Sequence, residues 1–363
     1  MMFVLDSHCD TPSQIYRLRD INLDNERGQV DFPKLKRGGV DGSFFAIYTS
    51  PSKQGPEAVA YALELIAALK DAVEASESAA ITFSPSEALR NKGKDVFSVF
   101  IGMENGSPIG KSLPLLRQFY RMGVRYMTLC HSKDNEICDS CAGNGYWNGL
   151  SPFGREVVAE MNRLGMIIDV SHISDKSFYD VLDCSSVPVV ATHSCCRALA
   201  DHPRNMTDDM IRALAAKGGV IQVNFYPVFL DNGFAKVLEE SRIEERGDIV
   251  ESIFISDPAD KAKREAWYEV EDELSRLPRP SYKKIVDHID HIVALVGVDY
   301  VGLGSDFDGI AVTPEGMENA SFFYKIFDEL RSRGYSEKDI EKIAGGNFFR
   351  VFNQVIECAT HQK

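Results

Sequence analysis

His8 and Asp10 stand two residues apart in VLDSHCDTP, almost at the start of the chain. Residues two apart in an extended strand leave the backbone on the same face, so the pair reads as half of a metal site. Residues of the same chemical type close further apolar runs: Glu104 in FIGMENG, His131 in YMTLCHS, His172 in IIDVSHIS, His193 in VVATHS, and Asp306 with Asp308 in GLGSDFDG. Four of the eight histidines fall at such ends. Imidazole and carboxylate donors converging at one mouth suit Zn²⁺ or a similar divalent ion, and a carboxylate lying between two ions can bridge them. Two such ions would bind a bridging water and acidify it enough to supply hydroxide near neutral pH, the nucleophile of a hydrolase.

These residues need a scaffold that delivers them together. Short runs rich in Val, Ile, Phe and Tyr at 3–7, 43–48, 96–102, 126–130, 166–170, 188–192, 220–225 and 300–304 read as strands. Most are separated by helix-patterned segments such as SPFGREVVAEMNRLG and TDDMIRALAAKGG, which open on a Ser or Thr cap and close on Gly. The pattern predicts an α/β fold, a (β/α)8 TIM-type barrel, rather than an open doubly wound sheet, and no GxGxxG follows the first strand. Functional residues of such a barrel stand at the C-terminal ends of its strands, where the ligand types cluster here. One connection is unusually long: residues 227–280, between strands seven and eight, form a charged, helix-prone insertion that covers the site or a partner, or merely fills space. The C-terminal stretch reads as two closing helices parted by Gly345 and Gly346, and residues 1–363 as one domain.

The chain has 363 residues, 44% of them hydrophobic, with a formal charge of −14 and a pI near 5.1. That acidity argues against nucleic acid or an anionic membrane as partner. No apolar run approaches the roughly 18–20 residues that span a bilayer, and no signal peptide is apparent, so the expected location is the cytoplasm. Eight unevenly scattered cysteines, two of them adjacent at Cys195 and Cys196, fit reduced thiols better than a disulfide framework.

Taken in order, DSHCDTP, GMENG, YMTLCHS, IIDVSHIS, PVVATHS, HPRNMTDD, VGLGSDFDG and GGNFFRVF resemble the membrane dipeptidase (renal dipeptidase) family of zinc metallopeptidases, within the metal-dependent amidohydrolase superfamily. The resemblance covers nearly the whole chain. It implies two Zn²⁺, the first held by His8 and Asp10, the second by His172 and His193, with Glu104 bridging. It also implies that His131 contacts the scissile carbonyl region, Arg204 takes the substrate carboxylate, and Asp306 is the acid/base and substrate-binding residue. A free dipeptide, including one of the form L-Xaa-D-Xaa, is the implied substrate and a homodimer the implied assembly. Asp308 receives no role. Cys9 replaces an Asn common in relatives and Cys130 a Thr, with no ligand altered. The mammalian signal peptide and lipid-anchor signal have no counterpart, so membrane attachment is not inherited.

The residues carry their own chemistry beside the resemblance. His131 and a metal could stabilise a tetrahedral oxyanion, and Asp306 could accept the water's proton and pass it to the departing amine. A guanidinium fork at Arg204 suits a free carboxylate, although an ion pair with Asp208 or Asp209 would also account for it. Another amidohydrolase activity on an N-acyl amino acid, lactone or β-lactam amide, or a silent binding barrel, are the rival readings. Cys138 and Cys141 imitate a zinc or redox pair but lack a second CxxC. His288 and His291 flank the buried stripe Ile285, Ile289, Ile292 and Val296, as surface or hydrogen-bonding residues. Cys9 should point away from the ligands, yet a thiol so near could bind a stray metal.

Overall fold

A computed structural model describes residues 2–360. Nine strands form its sheet: β1 (Leu5–Cys9), β2 (Gly42–Tyr48), β3 (Ala79–Ile81), β4 (Phe97–Glu104), β5 (Val124–Thr128), β6 (Ile167–Asp169), β7 (Val190–Ser194), β8 (Val220–Val223) and β9 (Val301–Leu303). Eight of them run parallel in the order β1-β2-β4-β5-β6-β7-β8-β9, the (β/α)8 barrel anticipated from the sequence. The ends of this ribbon meet through a parallel bridge between Cys9 and Phe307. Asp6 reinforces the seam by accepting hydrogen bonds from the Ser305 N–H at 2.8 Å and the Ser305 hydroxyl at 2.5 Å.

Two details depart from the sequence reading. β3 was not anticipated; it pairs with the start of β4, off the barrel path, and three residues between Ser78 and Thr82 carry too little pattern to announce a strand. The strands β1, β4 and β7 also end two residues later than their apolar runs, in β1 and β7 past register irregularities between Asp6 and Cys9 and between Ala191 and Ser194. Polar side chains at the mouth therefore sit on ladder backbone that the hydrophobic pattern does not mark.

The barrel interior is layered. At the N-terminal ends of the strands, Leu5, Phe44, Phe100, Tyr126, Ile167, Val190 and Val220 pack against Phe348, Phe352 and Val355 of the closing helix Asn347–Thr360. Phe44 lies 4.7 Å from Phe100 and 5.2 Å from Phe348, ring centre to ring centre. This apolar plug seals one end and leaves only the C-terminal mouth for chemistry. Gly102 makes the transition between layers possible. A Cβ there would lie 2.1 Å from Cζ of the fully buried Tyr126 ring, which is held too tightly to move aside.

The insertion folds into helices Pro227–Leu230, Asn232–Ser241, Ile243–Ser256 and Lys261–Ser275. Phe234, Leu238, Phe254, Trp267, Val270 and Leu274 form its own small core together with Val312. Ion pairs from Arg17 to Glu251 (3.0 Å) and Arg27 to Asp272 (2.8 Å) tie it to the segment after β1, so it roofs the barrel mouth. No helix among the described residues is long and apolar enough to cross a membrane.

Gly102→Ala should lower the thermal unfolding midpoint through a loss of about 1–3 kcal/mol, the usual cost of overpacking a filled core; an unchanged midpoint would show that Tyr126 has room to move.

Candidate metal centre

Each candidate ligand is placed by a strand end. His8 lies in β1 and Asp10 just beyond it, at the cap of helix Thr11–Tyr16, where Pro12 turns the chain away. The Asp10 N–H still donates to Phe307 O at 2.8 Å, so the ladder, rather than strand alternation alone, fixes where its carboxylate goes. Glu104 closes β4 and His193 lies in β7. His131, His172 and Asp306 sit in the loops that follow β5, β6 and β9. His172 (φ 70°), Asp306 (φ 61°) and Asp308 (φ 64°) occupy left-handed backbone conformations that L-residues rarely adopt, and such strain collects at functional sites.

Glu104 is the hub. Its Oε2 is 3.6 Å from His8 Nε2, while its Oε1 lies 3.0 Å from His172 Nε2, 3.4 Å from His193 Nε2 and 3.7 Å from His131 Nε2. On the first side His8 Nε2 also faces Asp10 Oδ2 at 3.4 Å and Asp306 Oδ1 at 3.9 Å. On the second side the Nε2 atoms of His172 and His193 are 2.9 Å apart. One carboxylate thus presents a different oxygen to each half of the cluster. Among the described residues, three overlapping sets have ligand atoms within 4.8 Å of one another: His8, Glu104 and His193; Glu104, His131 and His172; His8, Asp10 and Asp306.

The donors fit a divalent metal. His8 Nε2 and Asp10 Oδ1 are buried without a hydrogen-bond partner, a costly state that a cation would relieve. The opposite ring nitrogens are engaged: His8 Nδ1 lies 2.7 Å from the Tyr126 hydroxyl and His193 Nδ1 2.8 Å from Thr192 Oγ1, which turns both Nε2 atoms toward the cluster. Charge points the same way. Burial, reinforced by Glu104, pushes the Asp10 carboxyl up to about 6, and burial likewise raises that of Asp306. Burial opposes a charge on His8, but Glu104 and Asp10 outweigh it and hold the imidazole well above its usual range. His172 and His193 are driven well below theirs by burial, leaving neutral rings with a lone pair to offer.

Beside the cluster lies a cavity of about 440 Å³, lined in part by Tyr48, His131, Arg204, Asp306 and, from the roof, Asp248 and Trp267. Arg204 is only 8% exposed. Its Nη1 donates to Ser194 Oγ at 3.3 Å and its Nη2 to His193 O at 3.0 Å, while the face of Phe229 lies 5.3 Å from its guanidinium carbon. Among the described residues no carboxylate pairs with it, and Nε is buried with no partner, so the surface ion pair with Asp208 or Asp209 does not form. Asp208 instead bonds His291, and Asp209 bonds Arg212. His131, neutral because burial and then Arg204 press its pKa to about 3, lines the same cavity as Arg204, 3.7 Å from Glu104 Oε1.

Other sequence expectations resolve differently. Cys9 is fully buried against Ser43, and burial holds its thiol well above its usual range; it belongs to none of the ligand sets among the described residues. Asp308, left without a role, accepts hydrogen bonds from Thr11, Arg19 and Gln29 and pins the segment after β1 to the mouth. His288 is fully buried rather than at the surface, and it is the hydrogen-bonding residue the pattern allowed, with Nδ1 accepting from the Cys196 N–H at 3.0 Å and Nε2 3.2 Å from Leu230 O. All eight cysteines are free, Cys138 and Cys141 included. Asn224 was overlooked: it follows β8 and donates to Asp306 Oδ2 at 2.8 Å, and the strand-end rule applied to VIQVNF would have found it. Tyr48, at the end of β2 and 4.9 Å from the His131 ring, was missed for the same reason.

Comparison with known proteins agrees with this geometry. A protein of Schizosaccharomyces pombe described as an uncharacterized dipeptidase is 31% identical over 372 residues, covering 96% of this chain and 80% of that one. Dipeptidase 3 of Mus musculus is 31% identical over 363 residues, with 97% of this chain covered but 64% of the longer mouse protein. The crystal structure of the probable dipeptidase PvdM from Pseudomonas aeruginosa superposes with a TM-score of 0.84 at 29% identity, over 99% of this chain and 96% of that one. The model of the membrane dipeptidase family, peptidase family M19, matches residues 1–363, and the chain belongs to that family of metallopeptidases.

Proposed function

We propose that this metal-dependent dipeptidase holds two Zn²⁺ ions, one on His8 and Asp10 and one on His172 and His193, with Glu104 shared, and cleaves free dipeptides whose C-terminal carboxylate is bound by Arg204. The observation that carries the reading is the split of Glu104, one oxygen toward His8 and the other toward His172 and His193. When bound, the metals supply Lewis acidity toward the amide carbonyl and acidify water in their reach.

The chain's own groups account for the rest. Arg204 is immobilised by Ser194 and the His193 carbonyl and keeps its Nε buried and unmet, an arrangement suited to an anionic substrate end. Arg204 and Glu104 line the same cavity, so a substrate held there by its carboxylate is short. His131, neutral at physiological pH, is placed to donate a hydrogen bond to the carbonyl oxygen as negative charge develops on it. Asn224 occupies Asp306 Oδ2 and leaves Oδ1 facing the cluster. Burial raises the Asp306 carboxyl toward the range in which one group can both accept a proton and return it to the departing amine. A homodimer in the cytoplasm completes the proposal; the acidic composition supports a partner list without nucleic acid.

A panel of free, N-blocked and C-amidated dipeptides assayed with the metal-replete enzyme tests the substrate reading. Free dipeptides should be cleaved and C-amides resisted, with Arg204→Ala lowering kcat/KM on free dipeptides by about 30- to 1,000-fold, the scale of an anchor lost from a buried charge pair. Equal cleavage of free and C-amidated substrates would remove Arg204 from that role and favour a broader amidohydrolase. Asp306→Asn should reduce kcat by about 10²–10⁴-fold with zinc content intact; a variant of near-normal kcat would assign the proton transfer elsewhere.

A further inference from the structure

Beneath the cluster, inside the barrel, lies a buried polar layer that the reaction does not touch. Asp169, at the end of β6, accepts four hydrogen bonds: from the Ser171 and Thr192 N–H groups on Oδ1 at 3.0 and 2.9 Å, and from the Thr128 and Thr192 hydroxyls on Oδ2 at 2.5 and 2.7 Å. All the residues involved are buried. Thr192 has a single hydroxyl proton, and its donation to Oδ2 commits that proton to Asp169.

Thr192 Oγ1 also lies 2.8 Å from His193 Nδ1. With its proton pointing at Asp169, that oxygen can only accept, so Nδ1 must carry the imidazole hydrogen. Nε2, the atom 3.4 Å from Glu104 and 2.9 Å from His172 Nε2, is then left with its lone pair. We propose that the chain Asp169–Thr192–His193 fixes the tautomer of His193 before any metal arrives, making Thr192 and Asp169 positioning residues for the second metal. The inference rests on His193 being a ligand of that ion. The contrast with His8 sharpens it: Tyr126 can donate or accept toward His8 Nδ1, so nothing there dictates the tautomer in the same way.

The substitutions separate a hydroxyl effect from a packing effect. Thr192→Val keeps the shape and loses the acceptor, Thr192→Ser keeps the acceptor and loses a methyl. Asp169→Asn turns an acceptor into an amide donor, freeing the Thr192 proton to point at Nδ1 and claim the wrong nitrogen. Zinc-loaded full-length proteins are titrated with a chromophoric chelator, and the affinity of each equivalent is read directly, without reference to turnover.

One equivalent should bind about 10- to 100-fold more weakly in Thr192→Val and in Asp169→Asn, the range typical of lost outer partners of ligating histidines, whereas Thr192→Ser should stay near the parent. Wild-type affinity in Thr192→Val, or in Asp169→Asn should the valine variant not fold, overturns the inference. A serine variant as weak as the valine variant overturns it too, because packing would then explain both. His193→Ala separates this from the parent reading: if it keeps both equivalents tight, His193 is no ligand, whereas loss of one equivalent there with none in Thr192→Val rejects the tautomer relay alone.

Discussion

The constraint on which this molecule turns is the burial of Glu104 among other groups of its own charge. Asp10, buried like Glu104, and the largely buried Asp306 stand close by. Carboxylates crowded in this way are stable only when protonated or neutralised by cations. The chain's answer is a ring of imidazoles, of which His8 gains charge while His172 and His193 are kept neutral. Such a donor set is complete only with metal, and the barrel's architecture follows from the need to hold it rigid.

The barrel does so in layers. An apolar plug of Phe44, Phe100, Phe348 and Phe352 gives way to Tyr126, Asp169 and Thr192, and these in turn underlie His8, Glu104 and His193. Each step upward trades hydrophobic burial for hydrogen bonds directed at the layer above. Tyr126 belongs to both regimes, with its ring in the plug and its hydroxyl on His8, and Gly102 supplies the space it needs. The roof built from residues 227–280 completes the enclosure, so substrate chemistry is confined between a fixed floor and a packed lid.

Much of this was legible in the chain itself. Apolar runs ending in His, Glu or Asp disclose both the barrel and the ligands, because in a parallel barrel the same strand that fills the core delivers its next residue to the mouth. What escaped is polar and non-local. Asn224 and Tyr48 end strands as plainly as His193 does, but their side chains are not metal donors by type. The burial of His288 depends on a partner, Cys196, 92 positions away. The role of Asp308 likewise depends on Arg19 and Gln29, which no local pattern connects to it. β3 failed on length, and the ends of β1, β4 and β7 were displaced because backbone pairing continues beyond the apolar residues that mark a strand.

The claim that Glu104 joins two ions is tested most directly by X-ray absorption at the zinc edge on fully loaded protein whose metal content per chain has been measured. Two equivalents with a metal–metal vector of about 3.5–4 Å, the separation of carboxylate-bridged pairs, are expected. A single equivalent bound at saturation, or two with no such vector, would contradict it.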